Sequence, residues 1–235
     1  MKKLTINIPT LNSHEIVKSQ ITRFQNILKD YKNDVDVLII DDGSTPSLID
    51  YLKEHKINFI KHDKTENNLD VWKLDNIFII ETKNYTNWTQ AIASNIGVRY
   101  ANSDYVYNTA IDHFITLENI QEVLNFNGDC LKFPRKYGVI QENGNVSTDI
   151  ELLKKHHYDG GNVNVAWDIY SMKRNLFLNI NGYNEEKFGD YWAVDIDFFT
   201  RYKNQGNSVD IANNHIFVYP EPDKNTEIFH NLKRS

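Results

Sequence analysis

The N-terminal segment carries two hydrophobic patterns in succession. Residues 4–8, LTINI, alternate apolar with polar side chains and stop at Pro9, which is the pattern of a strand. After Asn12 and Ser13, both helix-capping residue types, Ile16, Ile21, Phe24, Ile27 and Leu28 predict a core-facing helix over about residues 14–31. The run VDVLII at 35–40 predicts a short buried strand ending in the turn cluster DDGST. A helix over about 46–55 then leads to strands at INFIK, 57–61, and NIFIIET, 76–82. Residues 87–101, NWTQAIASNIGVRYA, have helical periodicity, with Trp88, Ile92 and Ile96 in register and Asn87, Ala91 and Asn95 on a neighbouring stripe. DYVYNTAI at 104–111 predicts a strand that delivers Asp112 to its C-terminal end.

Alternating strands and helices predict an α/β fold with a mostly parallel central sheet flanked by helices. Ligands of such sheets bind beyond the carboxyl ends of the strands. Asp41-Asp42 and Asp112-His113 both fall at such ends, so they can face one crevice despite lying about 70 residues apart. The second half is less regular. DCLKFPRKYGVI and VAWDIYSMK predict strands, with a polar, glycine-containing stretch between them at about 141–164. GYNEEKFGDYWAVDIDFFTRYKNQG predicts a turn, a loop and a helix from about Val194 to Asn204. Asp195 lies in its first turn, where the helix dipole favours a carboxylate.

Composition narrows the class. At 235 residues the chain reads as one domain, 1–235. A formal charge of −6 argues against a broad basic surface for nucleic acid. The apolar runs fall far short of the roughly 20 residues that span a bilayer. The start, Met1-Lys2-Lys3 followed by LTINIPT, is too short and polar for a signal-peptide core. The single cysteine, Cys130, excludes an internal disulfide and fits a reducing compartment. A cytoplasmic protein without a transmembrane segment is expected. His156 and His157 are adjacent and would point about 100° apart on a helix, a poor metal pair.

NIPTLN at the first strand, VLIIDDGST at the second, NWTQAIASNIGVRYANSDYV before the acidic turn and NGYNEEKFGDYWAVDIDFFTR downstream form an ordered set over about residues 4–210. This set resembles the GT-A glycosyltransferases of family 2, with a C-terminal half like the galactosyltransferase-type members. The resemblance implies a hexosyltransferase-type enzyme using a nucleotide-sugar donor, UDP-sugars being the most frequent, with a nucleotide-sugar-binding half to about 112 and an acceptor or catalytic half from about 113. It implies that Pro9, Thr10 and Asn12 line the nucleoside pocket and that Asp42 and Asp41 accept hydrogen bonds from base or ribose. A carboxylate suits that task because it only accepts. Asn95 matches the helix beside the donor pocket. In isolation, DDGS is equally a turn and Asn95 equally a support for a neighbouring loop.

The family's Asp-x-Asp turn aligns with Ala110 and Asp112, so one carboxylate is absent. Mg²⁺ commonly uses one or two carboxylates with phosphates and water, so Asp112 could still hold a divalent cation, Mn²⁺ or Mg²⁺, carried in with the diphosphate. The family's downstream histidine aligns near Tyr219-Pro220; His215, His230 and His113 are the histidines in reach. Asp195 matches the residue that deprotonates the acceptor hydroxyl in inverting members, with Val194 in place of the usual Glu. Tyr191 and Trp192 offer a stacking platform for an acceptor sugar. Two rivals remain: a metal-independent transferase, with Lys132, Arg135 or Lys173 holding the diphosphate, and a non-catalytic nucleotide- or sugar-binding module. The acceptor is open among a glycan, a lipid-linked sugar, a protein and modified DNA.

Overall fold

The computed structural model describes residues 2–62, 69–82, 90–140, 146–155, 162–163, 168–186 and 193–218. In chain order, β1 (Lys2–Thr10), α1 (His14–Ile27), β2 (Val35–Asp41) and α2 (Leu48–Glu54) are followed by β3 (Ile60–His62), β4 (Asp70–Leu74) and β5 (Ile77–Glu81). Next come α3 (Gln90–Tyr100), β6 (Ser103–Asn108), β7 (His113–Phe114), α4 (Leu117–Asn125), β8 (Cys130–Lys132) and β9 (Arg135–Tyr137). The remainder is β10 (Val139–Ile140), β11 (Val146–Ser147), α5 (Ile150–Lys155), β12 (Asn162–Val163), β13 (Tyr170–Lys173), α6 (Arg174–Asn179), α7 (Ala193–Asn204), β14 (Asp210–Ile211) and β15 (Ile216–Val218).

The main sheet runs β14-β8-β13-β6-β1-β2-β5-β4-β3. Its middle, β6-β1-β2-β5, is parallel, as the alternating pattern predicts. Outside that block β13 and β4 run antiparallel to their neighbours, so the sheet is mixed. Pro9 is tolerated on the central strand β1 for a positional reason. The Asn7 carbonyl points toward β6 and accepts from Thr109 N at 3.1 Å. Pro9, two residues on, turns its missing N–H to the same side, beyond the last β1–β6 pair at Asn7 and Asn108.

Strand side chains alternate between two faces, and each face has its own core. Leu4, Ile6, Ile8, Val37 and Ile39 pack with Val17, Ile21 and Phe24 of α1, Leu48 and Leu52 of α2 and Ile120 of α4. Leu38, Ile40, Val106, Tyr170 and Met172 pack on the opposite face with Ala93 and Val98 of α3, Phe177 of α6 and Phe198 and Tyr202 of α7. Each fully buried Leu, Ile or Phe contributes about 1.5–3 kcal/mol of transfer free energy.

Three elements differ from the sequence pattern. The helical stripe of Ile92 and Ile96 is only half-buried, and the face of α3 against the sheet is Ala91, Ser94, Asn95, Gly97 and Val98. Small residues are needed because α3 lies directly on β1: a Cβ on Gly97 would sit 1.8 Å from Asn7 Oδ1. The expected strand through 129–140 breaks at Pro134, leaving β8 in the main sheet and β9 in a second sheet, β12-β9-β15-β7. β4, which the pattern did not signal, forms a hairpin with β5 around Asp75-Asn76, with Asp75 at φ +55. Among the described residues, no helix is long and apolar enough to cross a membrane.

Candidate functional site

Parallel pairing brings the ends of β5, β2, β1 and β6, at Glu81, Asp41, Thr10 and Asn108, to one edge of the sheet. β13 enters at this edge with Tyr170 opposite Asn108, and β8 leaves at it with Lys132 opposite Tyr170. Chemistry-bearing residues far apart in sequence therefore share one rim.

On the β2 side, Asp42 is fully buried. Its backbone N–H donates to Thr10 O at 3.0 Å, and its Oδ1 accepts from Thr82 Oγ1 at 2.9 Å. Asp41 closes the turn instead, with its Oδ1 accepting from the backbone N–H (3.2 Å) and hydroxyl of Ser44. Burial pushes its carboxyl up to about 6. Asn12, at φ +51, ties the β1 loop to that turn: its N–H donates to Ser44 Oγ and its Oδ1 accepts from Thr45 N, both at 2.8 Å. Pro9 and Thr10 are buried at the end of β1, and the Thr10 hydroxyl has no hydrogen-bond partner among the described residues.

Asp112 lies just past β6, with β1 between it and the Asp41-Asp42 turn that follows β2. Gln20 and Arg23 of α1 hold the segment around it, donating to the carbonyls of Ile111, His113 and Ile115. The Asp112 side chain is 39% exposed, and its Oδ1 is 2.9 Å from His113 Nδ1. Desolvation draws its pKa upward, but His113 and the Arg135 charge outweigh that, and the carboxyl sits below its ordinary value. An ionised, partly open carboxylate fits one ligand of a cation otherwise held by phosphate and water. It does not make a cage by itself, since no group of three His, Cys, Asp or Glu side chains converges among the described residues. His215 precedes β15, whose other end, Val218, pairs with His113, so it lies a strand's length from Asp112. Lys173 is at the opposite end of β13 from the rim and pairs with Asp129 at 3.0 Å.

Asp195, in the first turn of α7, lies within electrostatic reach of Asp168, Tyr183 and Lys132. Burial foremost, then the Asp168 charge, raises its carboxyl to about 7, against the opposing pull of Tyr183 and Lys132. Lys132 is itself buried, with Nζ 3.6 Å from the Phe199 ring centroid, and burial draws its pKa down to about 8. Asn95 does not open on the rim. Its Oδ1 accepts from Tyr183 N (2.9 Å), while its Nδ2 donates to Tyr183 O (2.9 Å) and Glu185 Oε1 (2.8 Å). That is the geometry of a strut between α3 and the turn before α7. Asp197 pairs with Arg201 at 2.9 Å, and Arg201 also donates to the Ile180 and Gly182 carbonyls. Tyr191, Trp192, Tyr219, Pro220 and His230 lie outside the described residues.

Asn108, Asp168, Tyr170 and Tyr183 were not singled out from the sequence. The available signal was a polar residue inside a buried strand pattern, Asn108 after Val106, which placed an amide on an apolar face.

A family model described as glycosyl transferase family 2 matches residues 5–219. Among solved structures, the chain is similar to S. aureus TarS 1-349 in complex with UDP-GlcNAc, with a TM-score of 0.61 and 15% identity, covering 96% of this chain and 60% of that one. It is similar to the mannosyltransferase PcManGT from Pyrobaculum calidifontis in complex with GDP-Man and Mn²⁺, with a TM-score of 0.58 and 14% identity, covering 97% and 59%. Glucosyl-3-phosphoglycerate synthase from Mycobacterium tuberculosis in complex with phosphoglyceric acid has a TM-score of 0.58 and 13% identity, covering 97% and 75%. At these identities the likeness shows the fold, which is GT-A, and the chain spans only about 60% of the length of the first two. No curated protein sequence matches the chain.

Proposed function

The chain belongs to glycosyl transferase family 2, and from that premise we propose that it moves a sugar from a nucleoside-diphosphate donor, a UDP-sugar by preference, to an acceptor hydroxyl with inversion. The observation that carries this reading is Asp195: a largely buried carboxyl with a pKa raised to about 7, beside the strand ends that also bear Asp42. A base poised near neutral pH is what deprotonation of an alcohol requires. From β2 to β13 there are three strand steps, about 14 Å at 4.8 Å each, so the rim itself is wide enough to take a nucleoside diphosphate.

In this mechanism Asp42 accepts a hydrogen bond from the nucleoside, with Pro9 and Thr10 forming the floor. Asp41 and Asn12 hold the loop around it through Ser44 and Thr45. Asp195 takes the acceptor's proton, and the freed oxygen attacks the anomeric carbon opposite the departing group. The bond to the diphosphate breaks with its electron pair, and the nucleoside diphosphate leaves. A divalent cation, when bound, would neutralise charge on that diphosphate, and Asp112 is the carboxylate placed to hold it. A metal-independent variant draws support from the Arg135 charge felt at Asp112, since a guanidinium suits phosphate oxygens.

The test is a panel of UDP- and GDP-sugars, followed by thermal shift and by turnover, with Mn²⁺ and with chelator. Wild type should bind and turn over one donor, while Asp195→Asn binds it but loses turnover. Full turnover by Asp195→Asn would remove the base. Binding without turnover by wild type on every donor would favour a binding module. Full activity in chelator would remove the cation.

A further inference from the structure

Helix α1 carries two buried polar side chains that its apolar packing against the sheet does not call for. Gln20 is fully buried and Arg23 nearly so. Long polar side chains stay inside only where specific partners hold them. Here those partners are backbone carbonyls of a single segment. Gln20 Nε2 donates to Ile111 O at 3.1 Å and to His113 O at 2.8 Å, and Arg23 Nη2 donates to Ile115 O. The Arg23 guanidinium also lies 5.9 Å from the Phe114 ring centroid.

These carbonyls belong to alternate residues, so they leave one side of an extended segment. The other side is closed by β15, which pairs with β7 through Phe114–Phe217 and His113–Val218. β7 is an edge strand of its sheet, β12-β9-β15-β7, and the α1 side chains stand where a further strand would supply N–H groups. Asp112 is held on both flanks. The peptide plane before it is fixed by Gln20 through Ile111 O, and the plane after it by the His113 N–H, which donates to Ala110 O at 3.1 Å. With both planes held, φ and ψ of Asp112 are set, and so is the direction of its Cα–Cβ bond. The other end of α1 is anchored as well, because Asn12 just before it is bonded to Ser44 and Thr45. One helix therefore ties the turn beside Asp42 to the segment that bears Asp112.

We propose that Gln20 and Arg23 are positioning residues for Asp112: in place of a neighbouring strand they hold segment 111–115 so that the Asp112 carboxylate faces the donor diphosphate and its divalent cation. Neither side chain touches the donor; both act through the backbone around Asp112. This rests on the reading of Asp112 as the carboxylate on the diphosphate side. Groups that orient a metal ligand from behind change metal affinity by roughly 10- to 100-fold when they are removed.

The experiment measures Mn²⁺ binding in the presence of UDP, by electron paramagnetic resonance of the free ion, and uridine binding by calorimetry. The proteins are wild type, Gln20→Met, Arg23→Met, Arg23→Lys, Asp112→Ala and the Gln20→Met/Asp112→Ala double variant. Gln20→Met should weaken Mn²⁺ binding by about 10-fold yet leave uridine affinity unchanged, because the link from Asn12 to Ser44 is intact. Arg23→Met should weaken Mn²⁺ binding less, and Arg23→Lys, which keeps a donor for Ile115 O, should restore most of that loss. In the Asp112→Ala background Gln20→Met should have no further effect, since no carboxylate is left to position. Normal Mn²⁺ binding by Gln20→Met, equal losses for Mn²⁺ and uridine, or an undiminished effect in the Asp112→Ala background would overturn the proposal. Should Gln20→Met fail to fold, Arg23→Met against Arg23→Lys decides by the same two affinities. Asp112→Ala separates two failures. If its Mn²⁺ binding matches wild type, the reading of Asp112 falls and the proposal with it; if its binding is weakened while Gln20→Met binds normally, the proposal alone falls.

Discussion

Replacing Asp195 by asparagine should stabilise the fold at alkaline pH. The Asp195 pKa is 3.8 in an ordinary setting and about 7 in the fold. A carboxyl raised on folding favours the native state through its protonated form. That contribution is complete below pH 3.8 and is lost as pH climbs through about 7. Between pH 5 and pH 7 the loss spans two units at about 1.4 kcal/mol each, or about 2.7 kcal/mol. Partial solvent access around Asp195 trims this to about 2 kcal/mol. Asparagine keeps the shape of the side chain but never ionises. Any fixed difference in packing cancels when the two proteins are compared at two pH values. The assay is urea unfolding of wild type and Asp195→Asn at pH 5 and pH 8. The advantage of the variant should widen by about 2 kcal/mol at the higher pH, or about 4–8 °C in Tm for a chain of this length. A difference that stays the same at both pH values refutes the argument, because Asp195 would then ionise as readily folded as unfolded.

Two further outcomes follow from close contacts at the rim and beneath it. Gly97→Ala drives a methyl into the Asn7 amide and should cost about 1–3 kcal/mol of stability in urea melts, whereas an unmoved midpoint would mean that α3 is free to lift from β1. Asp42→Ala should weaken donor binding by about 10- to 100-fold, the worth of a charged hydrogen bond, with little change in kcat; affinity within two-fold of wild type would take Asp42 out of the pocket.

Strand patterns were legible wherever one face or both had to be apolar. The strands over LTINI and VDVLII, and the arrival of Asp42 and Asp112 past strand ends, follow from that rule. β4 escaped it because Trp72, Lys73 and Leu74 are half-buried near the sheet margin, and its hairpin turn lacks glycine. α3 misled because its isoleucines mark the looser face, while close packing on Asn7 selects alanine, serine and glycine for the tight one. Asp42 and Asp195 were singled out by their order in the chain. Tyr170, Tyr183 and Asn108 were not, because their meaning lies in strand pairing and turn placement across sequence separations of 62 and 13, which no local pattern encodes.

Asn7, Asn108 and Tyr170, buried cross-strand neighbours joined by side-chain hydrogen bonds, bear on how the chain selects its own alignment. Valines, isoleucines and leucines are nearly interchangeable, so apolar strands can slide past one another by two residues and still keep their greasy side inward. Such a slide of β13 along β6 would set Met172 against Asn108. An amide donor would then be stranded without an acceptor, at a cost of about 1–3 kcal/mol, and Lys132 would lose its place beside Tyr170 on the far side. Asn108 thus works as a keyway cut into a smooth surface: only one seating of the strand that comes later in the chain lets the lock close, so a sheet assembled from distant parts of the chain is checked for register at a single buried amide.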